Sequence, residues 1–267
     1  MLQPEWIALF LLLGSFVGFM AGLLGIGGGG ILVPVLTSIF LFNGIATDHV
    51  VHLALGTSMA CMVITTFSSF RSHNAKGAVV WLAVKGMVFG IILGTFSATF
   101  LASYLSSLFL GIFFALFMAF VSSQMFLNKK PKPSRELSGT TGLFAAGFGI
   151  GSISALVSIG GGSLTVPYLT WQNIEIKKAI GTSAAIGLPI SVAGTVGYLI
   201  NGWHYSSPND YIFGYVYLPA VVLISLTSFI TAPLGAGFAH KLPVSILKKI
   251  FAVLLITLSI KMLVSIM

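Results

Sequence analysis

The sequence predicts an all-α integral membrane protein of about eight hydrophobic spans in two related halves, and three observations carry that reading. The 267 residues are 57% hydrophobic and only 7% charged, with a mean hydropathy of +1.05, whereas a soluble domain is about a quarter charged. Apolar runs of roughly 20 residues, the length of a membrane-crossing helix, recur between short polar breaks. A glycine-proline element occurs twice, 133 positions apart.

The first segment, about 6–42, is interrupted where Gly22 to Thr37 read GLLGIGGGGILVPVLT. It lacks the basic start of a signal peptide, so it is expected to stay in the mature protein. Continuous segments follow at about 50–70, 78–103 and 108–127. Lys129-Lys130-Pro131-Lys132-Pro133-Ser134-Arg135-Glu136 is polar and broken by proline, as a solvated linker is. The second half opens with another interrupted segment, about 139–173, in which Ala155 to Thr170 read ALVSIGGGSLTVPYLT. Segments at about 179–200, 212–239 and 244–266 complete it.

The two glycine-rich elements share I-G-G-G-x-x-x-V-P-x-L-T. Downstream, Leu55-Gly56-Thr57-Ser58 answers Ile180-Gly181-Thr182-Ser183 at an offset of 125, and Leu93-Gly94 answers Leu234-Gly235 at 141. Three anchors in the same order indicate a duplicated unit. The expected organisation is a first transmembrane repeat over 1–128, a cytoplasmic linker over 129–138 and a second repeat over 139–267. Backbone in lipid must satisfy its own hydrogen bonds, and no segment alternates apolar and polar residues as a barrel strand does, so the spans are helices.

The net charge of +8 arises from 13 Lys and Arg against 5 acids. In a membrane protein such an excess gathers in cytoplasmic loops, a better account than nucleic-acid binding. If every segment crossed once, Lys177, Lys178, Lys241, Lys248 and Lys249 would face outward. If each glycine-broken segment instead enters and returns, these join Arg71, Lys76 and the linker cluster on one side, giving inverted repeats with both termini outside. Charge favours the second arrangement, and plain eight-fold crossing is its rival. Trp6, Trp81, Trp171 and Trp203 fall near span ends, as an interfacial aromatic belt requires.

Gly27-Gly28-Gly29-Gly30 and Gly160-Gly161-Gly162-Ser163 are expected to break their helices, since each interior glycine costs about 1 kcal/mol relative to alanine. A helix resuming after such a break offers unpaired N–H groups and a partial positive charge, a ready anion site. Pro34 and Pro167 are expected in its first turn or so, where a missing N–H is tolerated, and Ser163 is expected to cap its helix. The alternative is that these glycines serve only close helix packing. Thr57, Ser58, Thr182 and Ser183 place hydroxyls near the starts of the next helices, where they can donate to an anion or bond between helices.

Glu5, Asp48, Glu136, Glu175 and Asp210 all read as loop or end residues, which disfavours a relay or sodium site of buried carboxylates. Lys85, inside the third span, and Arg71 are candidates for the pathway, with snorkelling to the interface as the alternative for Lys85. His49 and His52 have helical spacing but no third ligand, so no metal is expected. His73 and His204 read as interfacial loop residues, and the lone Cys61 as a buried small residue. No H-E-x-x-H, no acidic pair within spans and no G-x-S-x-G elbow is present, so neither catalysis nor a cofactor is expected.

The doubled glycine-proline element, the Gly-Thr-Ser signal and the stretch His73-Asn74-Ala75-Lys76-Gly77-Ala78-Val79-Val80-Trp81 together resemble the TauE/SafE family of sulfite exporters, over almost the whole chain. The resemblance implies a multi-pass permease of a bacterial or archaeal cytoplasmic membrane, moving sulfur oxyanions or organosulfonates such as sulfite or sulfoacetate. It maps the family's glycine-rich breaks to Gly27–Gly30 and Gly160–Ser163, and the following prolines to Pro34 and Pro167. The family's G-N-V-D-W-like stretch reads Gly77-Ala78-Val79-Val80-Trp81 here and lacks the acid. The expected partners are a small anion and the lipid bilayer, with homo-oligomerisation left open. An anion channel and a non-transporting scaffold subunit are the competing readings.

Overall fold

The computed structural model describes residues 3–24, 27–127, 136–238 and 244–267. Among them the first half forms α1 (Pro4–Leu24), α2 (Gly29–Phe42), α3 (Thr47–Ala75), α4 (Trp81–Ser103) and α5 (Ser107–Leu127). The second forms α6 (Thr140–Val157), α7 (Gly162–Trp171), α8 (Ile176–Asn201), α9 (Leu218–Phe238) and α10 (Val244–Ile266). Eight of these helices are long and apolar enough to cross a membrane, while α2 and α7 are shorter. The protein is an all-α integral membrane protein, and its exposed surface carries the large apolar side chains lipid demands, among them Leu12, Phe89, Leu116 and Val264. Most of the linker expected over 129–138, namely 129–135, lies outside the described residues, as does Lys241.

Both broken segments return to the end from which they started. The Trp6 ring, at the beginning of α1, packs on Phe42, at the end of α2, with centroids 5.6 Å apart. In the second half Ser138, just before α6, is tied to Gln172, just after α7. The Gln172 side-chain amide donates to the Ser138 hydroxyl at 2.8 Å, and its oxygen accepts from the Ser138 N–H at 3.2 Å. Two hairpins therefore hang into the molecule from opposite ends, with α3 and α8, the most buried of the long helices, at the centre.

The halves run in opposite directions. Gly56 meets Tyr198, and Gly194 meets Met59, so α3 and α8 are antiparallel. The Thr66 and Ser191 hydroxyls, 125 positions apart like Thr57 and Thr182, hydrogen-bond to each other at 3.3 Å. Equivalent residues can touch in this way only on a two-fold axis, here perpendicular to the helices. Each half completes the other: α1 packs along α9 through Gly14, Gly18 and Gly22, and α6 packs along α4 through Gly147 and Gly151, where any Cβ would strike the facing backbone. Small residues that bring helices this close supply the dispersion contacts that hold helices together in lipid.

The connection between α8 and α9 departs from the continuous segment expected over 212–239. It contains two short 3-10 turns, Trp203–Tyr205 and Pro208–Asp210, and a hairpin of β1 (Ile212–Phe213) with β2 (Val216–Tyr217). Its apolar residues pack on the start of α3 instead of extending the helix: the rings of His49 and Tyr205 lie 4.7 Å apart, and those of His52 and Tyr215 5.1 Å apart. Burial raises the pKa of Tyr205, and that of Tyr215 rises through burial and then the neighbouring Tyr205.

Candidate functional site

Glycine is required at both breaks. Gly27 and Gly28, before α2, and Gly161, before α7, have φ of +77°, +86° and +77°, the left-handed region that side chains disfavour. The two breaks touch. A Cβ on Gly27 would come within 2.7 Å of the Gly160 backbone, and one on Gly29 would overlap the Ser158 carbonyl. Gly27 and Gly160 are repeat equivalents, so the contact falls on the two-fold, beside Thr66 and Ser191. Gly28, Gly29, Gly30 and Gly162 are likewise buried there.

The helix ends at this point have a definite polarity. From the breaks, α2 runs toward one end of the molecule and α7 toward the other, so both N-termini face the centre, and no side chain caps either. Their first amides and summed dipoles favour negative charge. The C-terminal ends of α1 and α6 would oppose this, but one carbonyl near each end is engaged by a side chain. His73 Nε2 donates to the Gly22 carbonyl at 3.2 Å, and the Tyr198 hydroxyl donates to that of Ala155 at 3.0 Å. These two bonds are also repeat equivalents, 73 with 198 and 22 with 155.

Several expectations need correction. Ser163 does not cap α7: Gly161 occupies the N-cap position, and Ser163 is the helix's second residue. Pro34 and Pro167 are each the sixth residue of their helices, past the first turn, so each deprives the carbonyl four residues earlier, on Gly30 and Ser163, of its helical partner. Thr57 and Thr182 lie two to three turns inside α3 and α8, since both helices start earlier than the apolar pattern suggests. Both work structurally: the N–H of Tyr217, just before α9, donates to Thr57 Oγ1 at 3.0 Å, and that of Val80, just before α4, donates to Thr182 Oγ1 at 2.9 Å. Ser183 donates to the Ile180 carbonyl at 2.8 Å, whereas the Ser58 hydroxyl is buried with no hydrogen-bond partner.

Lys85 is exposed on the same outward face of α4 as Leu82 and Phe89, where its long stem can follow the lipid to the interface. Arg71 is exposed near the end of α3. His73 is a buried residue of α3, not a loop residue. Thr165, Met62 and Gly187, which sequence reasoning passed over, surround the breaks. Aligning the repeats would have flagged Thr165, which stands where the first half has Leu32.

Residues 10–262 match the family model described as "Sulfite exporter TauE/SafE". The chain belongs to the TauE/SafE family. A "Probable membrane transporter protein" of Haemophilus influenzae is 38% identical over 96% of this chain and 98% of its own length. Proteins of the same description from Methanocaldococcus jannaschii and Bacillus subtilis are 25% and 27% identical. They cover 88% and 90% of this chain and 86% and 93% of their own lengths. No solved structure matches the chain. The family, these relatives and the eight spans together make this chain a multi-pass membrane transporter of the TauE/SafE type.

Proposed function

We propose that this TauE/SafE protein is a secondary transporter of a small sulfur oxyanion or organosulfonate, such as sulfite or sulfoacetate, bound where the two glycine breaks meet. The observation that carries the reading is the contact of Gly27 with Gly160 on the two-fold, with the uncapped starts of α2 and α7 directed at it. Backbone N–H groups there can replace the water of an anion without burying a cation. Residues 1–128 and 139–267 form the two repeats around this site, and exposing such a site alternately to either side is a plan common among inverted-repeat transporters.

Arg71, Lys76, Lys177, Lys178 and Lys249 all lie at or near the same end of the spans, which makes that end cytoplasmic and the membrane a cytoplasmic one. With an inside-negative potential of about 100 mV, each exported negative charge gains about 2.3 kcal/mol, so export needs no carboxylate relay. The test is flux of sulfite, sulfoacetate and chloride in proteoliposomes. Saturable sulfite flux, inhibited by sulfoacetate and lost when Gly28 and Gly161 are both replaced by Leu, is expected. Absence of flux for every anion, or unsaturable conductance for all of them, refutes it.

A further inference from the structure

We infer that the anion is held at only one of the two breaks, at the start of α7, with the Thr165 hydroxyl as its side-chain donor. The inference rests on the transport reading above and locates its site more narrowly.

The two breaks are equivalent in sequence position but not in what surrounds them. At the start of α2, the Met62 sulfur lies 3.0 Å from where a Cβ on Gly27 would sit and 3.3 Å from one on Gly29. Leu255 and Met118 close on Gly30 at 2.9 and 3.3 Å. Thioethers and aliphatic carbons thus cover this helix start and none of them donates a hydrogen bond, whereas the atoms nearest a Cβ on Gly161 are Ile190 Cδ1 at 2.8 Å and the Thr165 hydroxyl oxygen at 3.2 Å, which can donate. At the start of α7, Met62 is replaced by its repeat equivalent Gly187, Gly30 by Ser163 and Leu32 by Thr165. All three differences remove apolar side-chain matter or add a hydroxyl, and all three fall on the same side of the axis.

Accessibility follows the same division. Gly30, Ile31, Val33 and Pro34 are buried, whereas their equivalents Ser163, Leu164, Val166 and Pro167 are half-buried. The packing explains it: α10 lies along α2, but α5 makes no comparable contact with α7 among the described residues, packing mainly on α10 instead. The flank of α7 is therefore less covered than that of α2, although Gly161, Gly162 and Thr165 are themselves buried, and α7 runs toward the end that carries Lys177 and Lys178.

Thr165 is fully buried, and its hydroxyl has no hydrogen-bond partner. Other helical threonines here, such as Thr66, Thr170 and Thr182, turn their hydroxyls back to the carbonyl four residues earlier. Thr165 does not, and its Oγ1 instead lies 3.2 Å from the Cβ position of Gly161, over the left-handed residue that opens α7. Ser58 and several other buried hydroxyls also lack partners, but among the described residues Thr165 alone combines that state with a place on an uncapped helix start. An unsatisfied buried donor is costly, and an oxyanion at the break would satisfy it.

The test is titration of the purified full-length protein with sodium sulfite and with sulfoacetate, alongside unfolding in the same detergent. Thr165→Val, which keeps the shape and deletes the hydroxyl, is expected to weaken binding about tenfold or more, as for a bond to a charged group. It should leave the melting temperature unchanged or raised, whereas a structural hydroxyl would lower it. Thr165→Ser should retain binding, and the stoichiometry should be one anion per chain. Wild-type binding with a Thr165→Val Kd within threefold, or two anions per chain, overturns the placement and leaves the transport reading standing. A wild-type protein that neither binds nor moves these anions overturns both.

Discussion

The Tyr198 hydroxyl donates to the Ala155 carbonyl at 3.0 Å, in the last turn of α6, and so holds the negative end of a helix that stops beside the site. Tyr198→Phe removes the donor and leaves that carbonyl buried and unmet. The expected cost is about 1–2 kcal/mol of stability, read as a lower denaturation midpoint in detergent. An unchanged midpoint would show that the bond contributes nothing.

Gly27 and Gly44 offer a matched comparison, because both have positive φ, +77° and +81°, yet nothing lies within 4 Å of a Cβ on Gly44. Gly44→Ala should cost only the backbone strain, about 1 kcal/mol. Gly27→Ala adds a collision with Gly160 and Met62 and should cost about 3 kcal/mol or more. Equal midpoints for the two variants would mean that the breaks are not in contact.

Chain direction can be tested by single cysteines introduced in a protein whose own Cys61 is buried. Glu5→Cys and Asn43→Cys should react with an impermeant maleimide from the same face of sealed vesicles, because α2 returns to the end where α1 began. Glu175→Cys should react from the opposite face. Labelling of residues 5 and 43 from opposite faces would restore the single-crossing topology.

The raised pKa values of Tyr205 and Tyr215 set a direction for alkaline pH. An acid whose pKa is higher folded than unfolded stabilises the fold fully below the unfolded value, about 10 for a phenol. That contribution is lost as pH rises through the folded value. The melting temperature should therefore begin to fall as pH rises past the unfolded phenol value of about 10, and more gently in Tyr205→Phe. Identical slopes for variant and wild type would argue against the buried phenol.

Spans, breaks and duplication could be read from the chain because each leaves a one-dimensional trace: apolar length, consecutive glycines and a recurring offset. The return of α2 and α7 was visible only through the side on which positive charge would collect, and contacts such as Trp6 with Phe42 are what establish it. Residues 212–217 looked like the start of a span because they are apolar. The positive φ of Gly214, +55°, and the pairing of Phe213 with Val216 fold them into a hairpin instead. Lys85 was ambiguous because a helix position does not say which face looks inward. The repeat alignment marks Thr165 as a hydroxyl standing opposite Leu32, but the lack of a partner for that hydroxyl is a property of three-dimensional surroundings.

Only one end of the molecule carries the long connection: sixteen residues, 202–217, join α8 to α9, while five, 76–80, join α3 to α4. The stack that its Tyr205 and Tyr215 build on His49 of α3 has no counterpart five residues could build. If the proposed carrier opens toward that end, it disturbs aromatic packing that opening toward the other leaves alone, and its two half-cycles then climb different barriers. A passive carrier of this shape obeys the same overall equilibrium in both directions, yet its half-saturation concentrations and maximal rates measured from the two faces should differ.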